Sequence, residues 1–218
     1  MNTNEVYTDM EPKPTLNELG VKHKTDKSTI THCYLDNYEK HLKEWRDQEF
    51  NLLEIGVAGG ASIRMWREYF PKVKVYGVDN NPDCAGEGIF IGDHNDKVFM
   101  DSVMSKIGQC RLIIDDGSHV GHDMKNLFDR LFVHHVVSGG LYVVEDTHCL
   151  YSPHYNQGSD AHQFFTGLVT HVDVAGRAMT GNQDYAIHHG MTQPAVPMFS
   201  PYLKAIHFYP SLWIFQRT

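Results

Sequence analysis

Seven acidic residues close runs of apolar, strand-like sequence: Glu54, Asp79, Asp93, Asp115, Asp116, Glu145 and Asp146. Carboxylates are among the side chains least suited to a buried sheet, so their return at five successive run ends points to chemistry rather than packing. Two of these ends, Ile113-Ile114-Asp115-Asp116 and Val143-Val144-Glu145-Asp146, would lie on neighbouring strands and bring Asp116, Glu145 and Asp146 into one pocket. Three carboxylates that close raise one another's pKa. A hard divalent cation relieves the repulsion, and an all-oxygen set suits Mg²⁺, with Mn²⁺ as a substitute. Such an ion stabilises an alkoxide and so lowers the pKa of an alcohol that meets it. The structural alternative is that one or two of these acids only cap helices. Ser118-His119 suggests a hydrolase nucleophile and base, but adjacent residues rarely present both groups correctly and no G-x-S-x-G elbow is present.

The elements that must hold these residues alternate strand and helix. Strands are predicted at Phe50–Ile55, Val73–Val78, Gly88–Ile91, Arg111–Ile114 and Leu141–Val144. Helices are predicted at Ser62–Phe70, Asp96–Ile107 and His122–Val137, the last stopped by Ser138-Gly139-Gly140. Alternation of this kind implies parallel β-α-β units, and runs such as Leu112-Ile113-Ile114 suit strands buried on both faces. Upstream, Thr15–Gly20 reads as a short helix, 22–31 as a loop, and His32–Trp45 as an amphipathic helix. Downstream, Ala161–Val174 reads as a helix, and Lys204–Tyr209 and Leu212–Gln216 as two strands turning at Pro210-Ser211. The expected organisation is a flexible arm over 1–14 and one domain over 15–218. Within it, 175–201 has two readings, a plain surface loop or a lid over a substrate.

In open parallel α/β sheets ligands bind beyond the carboxyl ends of the strands. The first such turn is Glu54-x-Gly56-x-x-x-Gly60. A nicotinamide fingerprint fails here, because Ala58 and Ala61 occupy its later glycine slots. The pattern resembles instead the first motif of class I S-adenosylmethionine-dependent methyltransferases. Glycines would let the backbone approach the methionine part of the cofactor, and Glu54 would meet its ammonium. Asp79, ending the next strand, suits the two ribose hydroxyls of an adenosine. Gly92-Asp93-His94 fits the position that contacts the adenine.

The combination LEIGVAGGASIRMW, DDGSH and VVEDT resembles the metal-dependent sugar O-methyltransferases of macrolide biosynthesis, the mycinamicin and tylosin type. Lys24-Thr25-Asp26-Lys27, followed by His32-x-Tyr34 and Tyr38, resembles the segment that helps cover their cofactor. The likeness runs from about Leu19 to Arg217, and the sequence shows no counterpart of the long N-terminal extension that some members carry. It implies a Rossmann-like fold with a mostly parallel seven-stranded sheet, a C-terminal antiparallel strand and helices on both faces. It implies cofactor contacts from Thr25, Lys27 and Tyr34, from Glu54, Gly56, Val57, Ala58, Gly60 and Ser62 at the first turn, and from Asp79, Asn80, Asp93, His94 and Asp115. Asp116, Glu145 and Asp146 match the metal ligands, and His119 matches the general base. Residue chemistry agrees on the last point, since a neutral imidazole titrates near working pH.

Composition bounds the partners. The formal charge is −8, which disfavours a nucleic-acid backbone as partner. No apolar run is long enough to span a bilayer, and the polar start Met1 to Pro14 lacks a signal-peptide h-region. A soluble, cytoplasmic protein with free thiols at Cys33, Cys84, Cys110 and Cys149 is expected. The expected partner is a small acceptor, a sugar or glycosylated natural product whose vicinal hydroxyls chelate the ion. Self-association into a homo-oligomer is left open. Rival readings are a catechol or phenol acceptor, suggested by Tyr151, Tyr155 and Phe199, a non-catalytic cofactor-binding protein, and a hydroxylase-like relative. His122 and His134-His135 read as packing or surface residues. His148 competes for a site role, and His188 and His189 fall in the loop 175–201.

Overall fold

The computed structural model describes residues 13–173 and 198–218. The arm expected over 1–14, save its last two residues, most of the loop 175–201, and His188 and His189 therefore lie outside the described residues. One sheet organises the rest. Its strands are β1 (Asn51–Ile55), β2 (Lys74–Asp79), β3 (Ile89–Ile91), β4 (Cys110–Asp115), β5 (Val136–Glu145), β6 (Leu203–Tyr209) and β7 (Leu212–Arg217), in the order β3-β2-β1-β4-β5-β7-β6. The first five run parallel, and β7 is antiparallel to both β5 and β6. The chain leaves β1 in one direction for β2 and β3, and returns on its other side for β4 and β5. A crevice opens at that switch point, where α/β sheets hold ligands.

Helices α1 (Leu16–His23), α2 (Leu35–Leu42) and α3 (Ala61–Tyr69) pack on one face with Leu52, Leu112, Ile114, Leu141 and Val143. On the other face α4 (Lys97–Ile107), α5 (Gly121–His135) and α7 (Ala161–Gly167) pack on Leu53, Ile113, Tyr142 and Val144. A short α6 (Pro153–Asn156) lies between α5 and α7 in the sequence. Because strand side chains alternate faces, Glu54 follows Leu52, Asp116 follows Leu112 and Ile114, and Glu145 follows Leu141 and Val143 to the α1–α3 face, whereas Asp115 follows Ile113 to the other. Local signals set the helix starts: Thr15 and Glu18 form a reciprocal capping box at α1, and Asp96 Oδ1 accepts from the N–H groups of Val98 and Phe99 at α4.

The structure departs from the sequence pattern in several places, among them the helix expected over Ala161–Val174, which breaks at Leu168 after α7. The helix expected over His32–Trp45 is only α2 plus a 3-10 turn at Lys43–Trp45, because residues 26–32 form turns that carry the chain toward the strand ends. The glycines expected to separate a helix from a strand at Leu141 lie inside β5, which begins at Val136 immediately after α5. A Cβ on Gly140 would sit 2.7 Å from the Arg111 carbonyl oxygen, so glycine there permits close strand approach, beside the register shift in β4. Last, a 3-10 helix (Thr147–Tyr151) and α6 occupy a stretch where no element was predicted. Among the described residues no helix is long and apolar enough to cross a membrane, and the four cysteines are unpaired.

Candidate active site

The carboxyl ends of β1, β2, β4 and β5 converge on one site. Gly56 turns the chain at φ +90°, and a Cβ there would stand 1.9 Å from the Asp116 carbonyl oxygen. Only glycine fits, both for backbone angle and for space. Ala58 and Gly60 continue the turn at positive φ, and Gly60 leads into α3. Asp79 ties this turn to β2: its Oδ2 accepts from Val57 N at 2.8 Å and Ala58 N at 3.0 Å, and its Oδ1 from Asn81 N at 2.8 Å. Burial alone would raise this carboxyl, but the N–H groups of Asn81, Ala58 and Val57 hold it below the usual range. Asn80 and Asp93 are exposed beside it. His94 is half-buried with a partnerless Nε2, and desolvation lowers its pKa. Its ring would lie 3.4 Å from a Cβ on Gly117, which places it against the loop after β4.

Beneath the turn lies a fully buried polar layer. Glu54 is 0% exposed, accepts from Ser62 Oγ at 2.9 Å and pairs with Lys27 Nζ at 3.3 Å. Lys27 is itself 1% exposed. It donates to Asp116 Oδ2 and, at 2.9 Å, to Glu145 Oε2. Burial would lower the Lys27 pKa, but Asp116, Glu145 and Glu54 more than offset it and raise it well above the ordinary value. The same burial pushes the carboxyls of Glu54, Asp116 and Glu145 upward against the pull of Lys27. Tyr38 donates its hydroxyl to Glu145 Oε1 at 2.5 Å, and Tyr34 donates to Asp146 Oδ1 at 2.6 Å. Thr25 is buried in the same segment, with its hydroxyl turned to Asp26.

Above this layer are Asp116, His119 and Asp146. Each brings a ligand atom within 4.8 Å of the other two, the one candidate metal cluster among the described residues. His119 Nε2 lies 3.5 Å from Asp146 Oδ2, and His119 Nδ1 is buried without a partner. His119 and Asp146 both adopt positive φ, +57° and +51°, a region in which His and Asp are enriched and whose cost is often spent at working sites. Two more imidazoles ring Asp146: His32 Nδ1 at 3.9 Å from its Oδ1 and His148 Nδ1 at 3.8 Å.

Besides Asp116, His119 and Asp146, with Tyr34 bonded to the last, the sequence-predicted residues fall into three groups. Gly56, Val57, Ala58, Gly60, Asp79 and Asn80 surround the first turn, with His94 and Asp93 flanking it. Thr25, Lys27, Glu54 and Ser62 lie below it, and Glu145 turns into that layer rather than toward Asp146. Asp115 sits on the opposite face, 2% exposed, with the Tyr142 hydroxyl 3.4 Å away and its carboxyl pushed by burial up to about 7. Sequence reasoning placed His32 and Tyr38 in the segment that helps cover the cofactor but gave neither a contact with the acids. Tyr38 was detectable, one helical turn after Tyr34 and so on the same side. No local signal marks Lys27 as the cation at the centre.

The donor set fits a hard divalent ion. The carboxylates of Asp116 and Asp146 and the His119 imidazole face one point, and three carboxylates (Glu54, Asp116 and Glu145) share a single ammonium. The cofactor side fits as well, with Asp79 fixed by three N–H groups and His94 Nε2 left unpaired.

This strand order, with its antiparallel C-terminal hairpin and its site at the β1/β4 switch point, is the class I S-adenosylmethionine-dependent methyltransferase fold. No protein-family model matches the chain. Its relatives include macrolide-sugar O-methyltransferases. It is 36% identical over 159 residues, 68% of its length, to the mycinamicin VI 2''-O-methyltransferase of Micromonospora griseorubida. It is 30% identical over 217 residues, 93% of its length, to the 8-demethyl-8-(2-methoxy-alpha-L-rhamnosyl)-tetracenomycin-C 3'-O-methyltransferase of Streptomyces olivaceus. The structure of the MycE methyltransferase in complex with Mg, SAH and mycinamycin VI matches with a TM-score of 0.76 and 27% identity, over 94% of this chain and 55% of that one. The chain spans 40% of the first relative and 53% of the second, about half their length or less.

Proposed function

We propose that the protein transfers a methyl group from S-adenosylmethionine to a hydroxyl of a sugar on a glycosylated natural product, with Mg²⁺ at Asp116 and Asp146. The observation that carries this reading is the convergence of Asp116, His119 and Asp146 within 4.8 Å, at the strand ends beside the glycine turn. The relatives' names support the acceptor class, and the ligands of MycE support the cofactor and the ion.

Bound, the cofactor supplies the electrophilic methyl and the ion lowers the acceptor hydroxyl's pKa. The chain supplies the rest. Gly56 to Gly60 would let the backbone close on the methionine portion, Asp79 and Asn80 would hold the ribose, and Asp93 and His94 would flank the adenine. Glu145, anchored by Lys27 and Tyr38, backs the Asp116–Asp146 pair and completes the acid set. His119 takes the acceptor proton on Nε2, and Asp146 Oδ2 beside it stabilises the resulting imidazolium. Holding both substrates in this geometry accounts for much of the acceleration.

The acceptor side has room. A cavity of about 440 Å³ is lined by Leu150, Tyr151, Asn156, Ser159, His162 and Gln163, among others. Ser159 packs against Gly121 at the start of α5, and Tyr155 stands edge-on to His119 with ring centres 6.4 Å apart, which brings this wall close to the base. A second cavity of about 440 Å³, bordered by Phe50, Asn51 and Arg111, lies at the amino ends of the strands, away from the chemistry.

The test is turnover with labelled cofactor against macrolide glycosides and catechols, before and after exhaustive chelation. Activity on a glycoside should vanish on chelation and return with Mg²⁺, and His119→Gln should lower kcat by about 10²–10⁴. Full activity without metal would remove the ion. Turnover of catechols alone would replace the sugar reading.

A further inference from the structure

Lys27, expected to contact the cofactor, instead serves three acids of the site. It is not on a strand but in the turns after α1, and its side chain crosses 89 residues of sequence to Asp116 and 118 to Glu145. Burying an ammonium is costly unless it is paired and its donors are satisfied. Lys27 meets that condition through Glu54, Asp116 and Glu145, three carboxylates from three different strand ends. Conversely, those carboxylates would repel one another in a dry layer without it. None of the three contacts reaches Asp146, whose neighbours are Tyr34, His32, His119 and His148.

We infer that Lys27 is the built-in counter-cation of the acid cluster, a positioning residue that does the work of a second metal ion. It neutralises the inner trio of Glu54, Asp116 and Glu145, so the protein folds without metal and keeps only the outer set of Asp116 and Asp146 for one exchangeable divalent ion. The division follows from geometry. Glu145 spends one oxygen on Lys27 and the other on Tyr38, and its atoms fall outside the cluster formed by Asp116, His119 and Asp146. The segment after α1 is thereby tied to the strand ends three times, through Lys27, Tyr34 and Tyr38. This inference rests on the proposed metal reading for the outer ion but not for the inner pairing.

Two measurements on the full chain test it: thermal unfolding in EDTA, and Mn²⁺ titration followed by electron paramagnetic resonance. In EDTA, Lys27→Met should lower Tm by about 10 °C or more, since it strands buried carboxylates. The double variant Lys27→Met/Glu145→Gln should recover a large part of that loss, because it removes one of the stranded charges. The wild-type chain should bind one Mn²⁺. Lys27→Met should bind a second, and Mn²⁺ should raise its Tm more than it raises that of the wild type. A Lys27→Met Tm within about 2 °C of wild type in EDTA overturns the inference. So does a double variant no more stable than the single one, including the case in which neither folds, and so does an unchanged Mn²⁺ count in Lys27→Met. A wild-type chain that binds no Mn²⁺ would refute the metal reading, while the comparison in EDTA would still judge Lys27.

Discussion

The two faces of the sheet are built from the same strands and end in opposite ways. On the α4–α5–α7 face the core closes with rings. Phe128 is fully buried and touches Phe132, Tyr142, Phe164, Phe165, Phe199 and Phe215. On the α1–α3 face the core of Leu52, Ile114 and Val143 gives way at the strand ends to Glu54, Asp116 and Glu145 around Lys27. One face is held by area and shape, the other by compensated charge. Neighbours in sequence, Asp115 and Asp116, therefore live in different chemical worlds because a strand's side chains alternate.

Substitutions can break this comparison. The largest stability loss is expected on the ring face: Phe128→Ala should cost about 3–5 kcal/mol, from lost transfer energy plus a cavity among rigid rings. Denaturant unfolding would check it, and a loss below about 1 kcal/mol would mean that the ring cluster collapses around the gap. Next comes a matched pair of hydroxyl deletions. Tyr38→Phe removes a 2.5 Å bond to buried Glu145 and should cost about 1.5–3 kcal/mol. Tyr142→Phe removes only a 3.4 Å contact to Asp115, which keeps the Gly117 N–H, and should cost less than about 1 kcal/mol. Equal costs would dissolve the distinction between the two faces.

The smallest effect lies away from both cores. His41 on α2 bonds the Tyr209 hydroxyl at 2.9 Å and lies tilted against His207, with ring centres 4.4 Å apart. Burial lowers both pKa values, and for His41 the neighbouring His207 and Lys40 add to it. Both folded values lie below the unfolded one, so the unfolded chain binds more protons just below the ordinary histidine pKa. Stability should then rise as pH climbs through that window and level off above about 6.5. Melting curves from pH 5 to pH 7.5 should show a weaker slope for His207→Phe than for wild type; an unchanged slope would clear this pair of any role.

Much of the frame was legible in the sequence, for local reasons. Apolar runs such as Leu112-Ile113-Ile114 announced buried parallel strands, and Asp96 and Thr15 announced helix starts. Gly56 announced a turn only glycine can make. The missed boundaries also have a local cause: the glycines after α5 look like a helix stop, yet Gly140 is needed inside β5 for close approach to β4. Of the site, the acids at the strand ends and His119 were readable because each lies within a few residues of a recognisable strand.

The sequence by itself determined which side chains could do chemistry and on which strand ends they sit, because periodicity and turn residues act over short spans. Only the tertiary structure decided how they divide. Strand register sent Glu54, Asp116 and Glu145 to one face and Asp115 to the other. The packing of α1 and α2 on that face then brought in Lys27 and Tyr38. Nothing within a few residues of Lys27 specifies three carboxylates so distant in the chain. The burial of that ammonium is a long-range outcome, and it holds together three acids that one another's repulsion would otherwise drive apart.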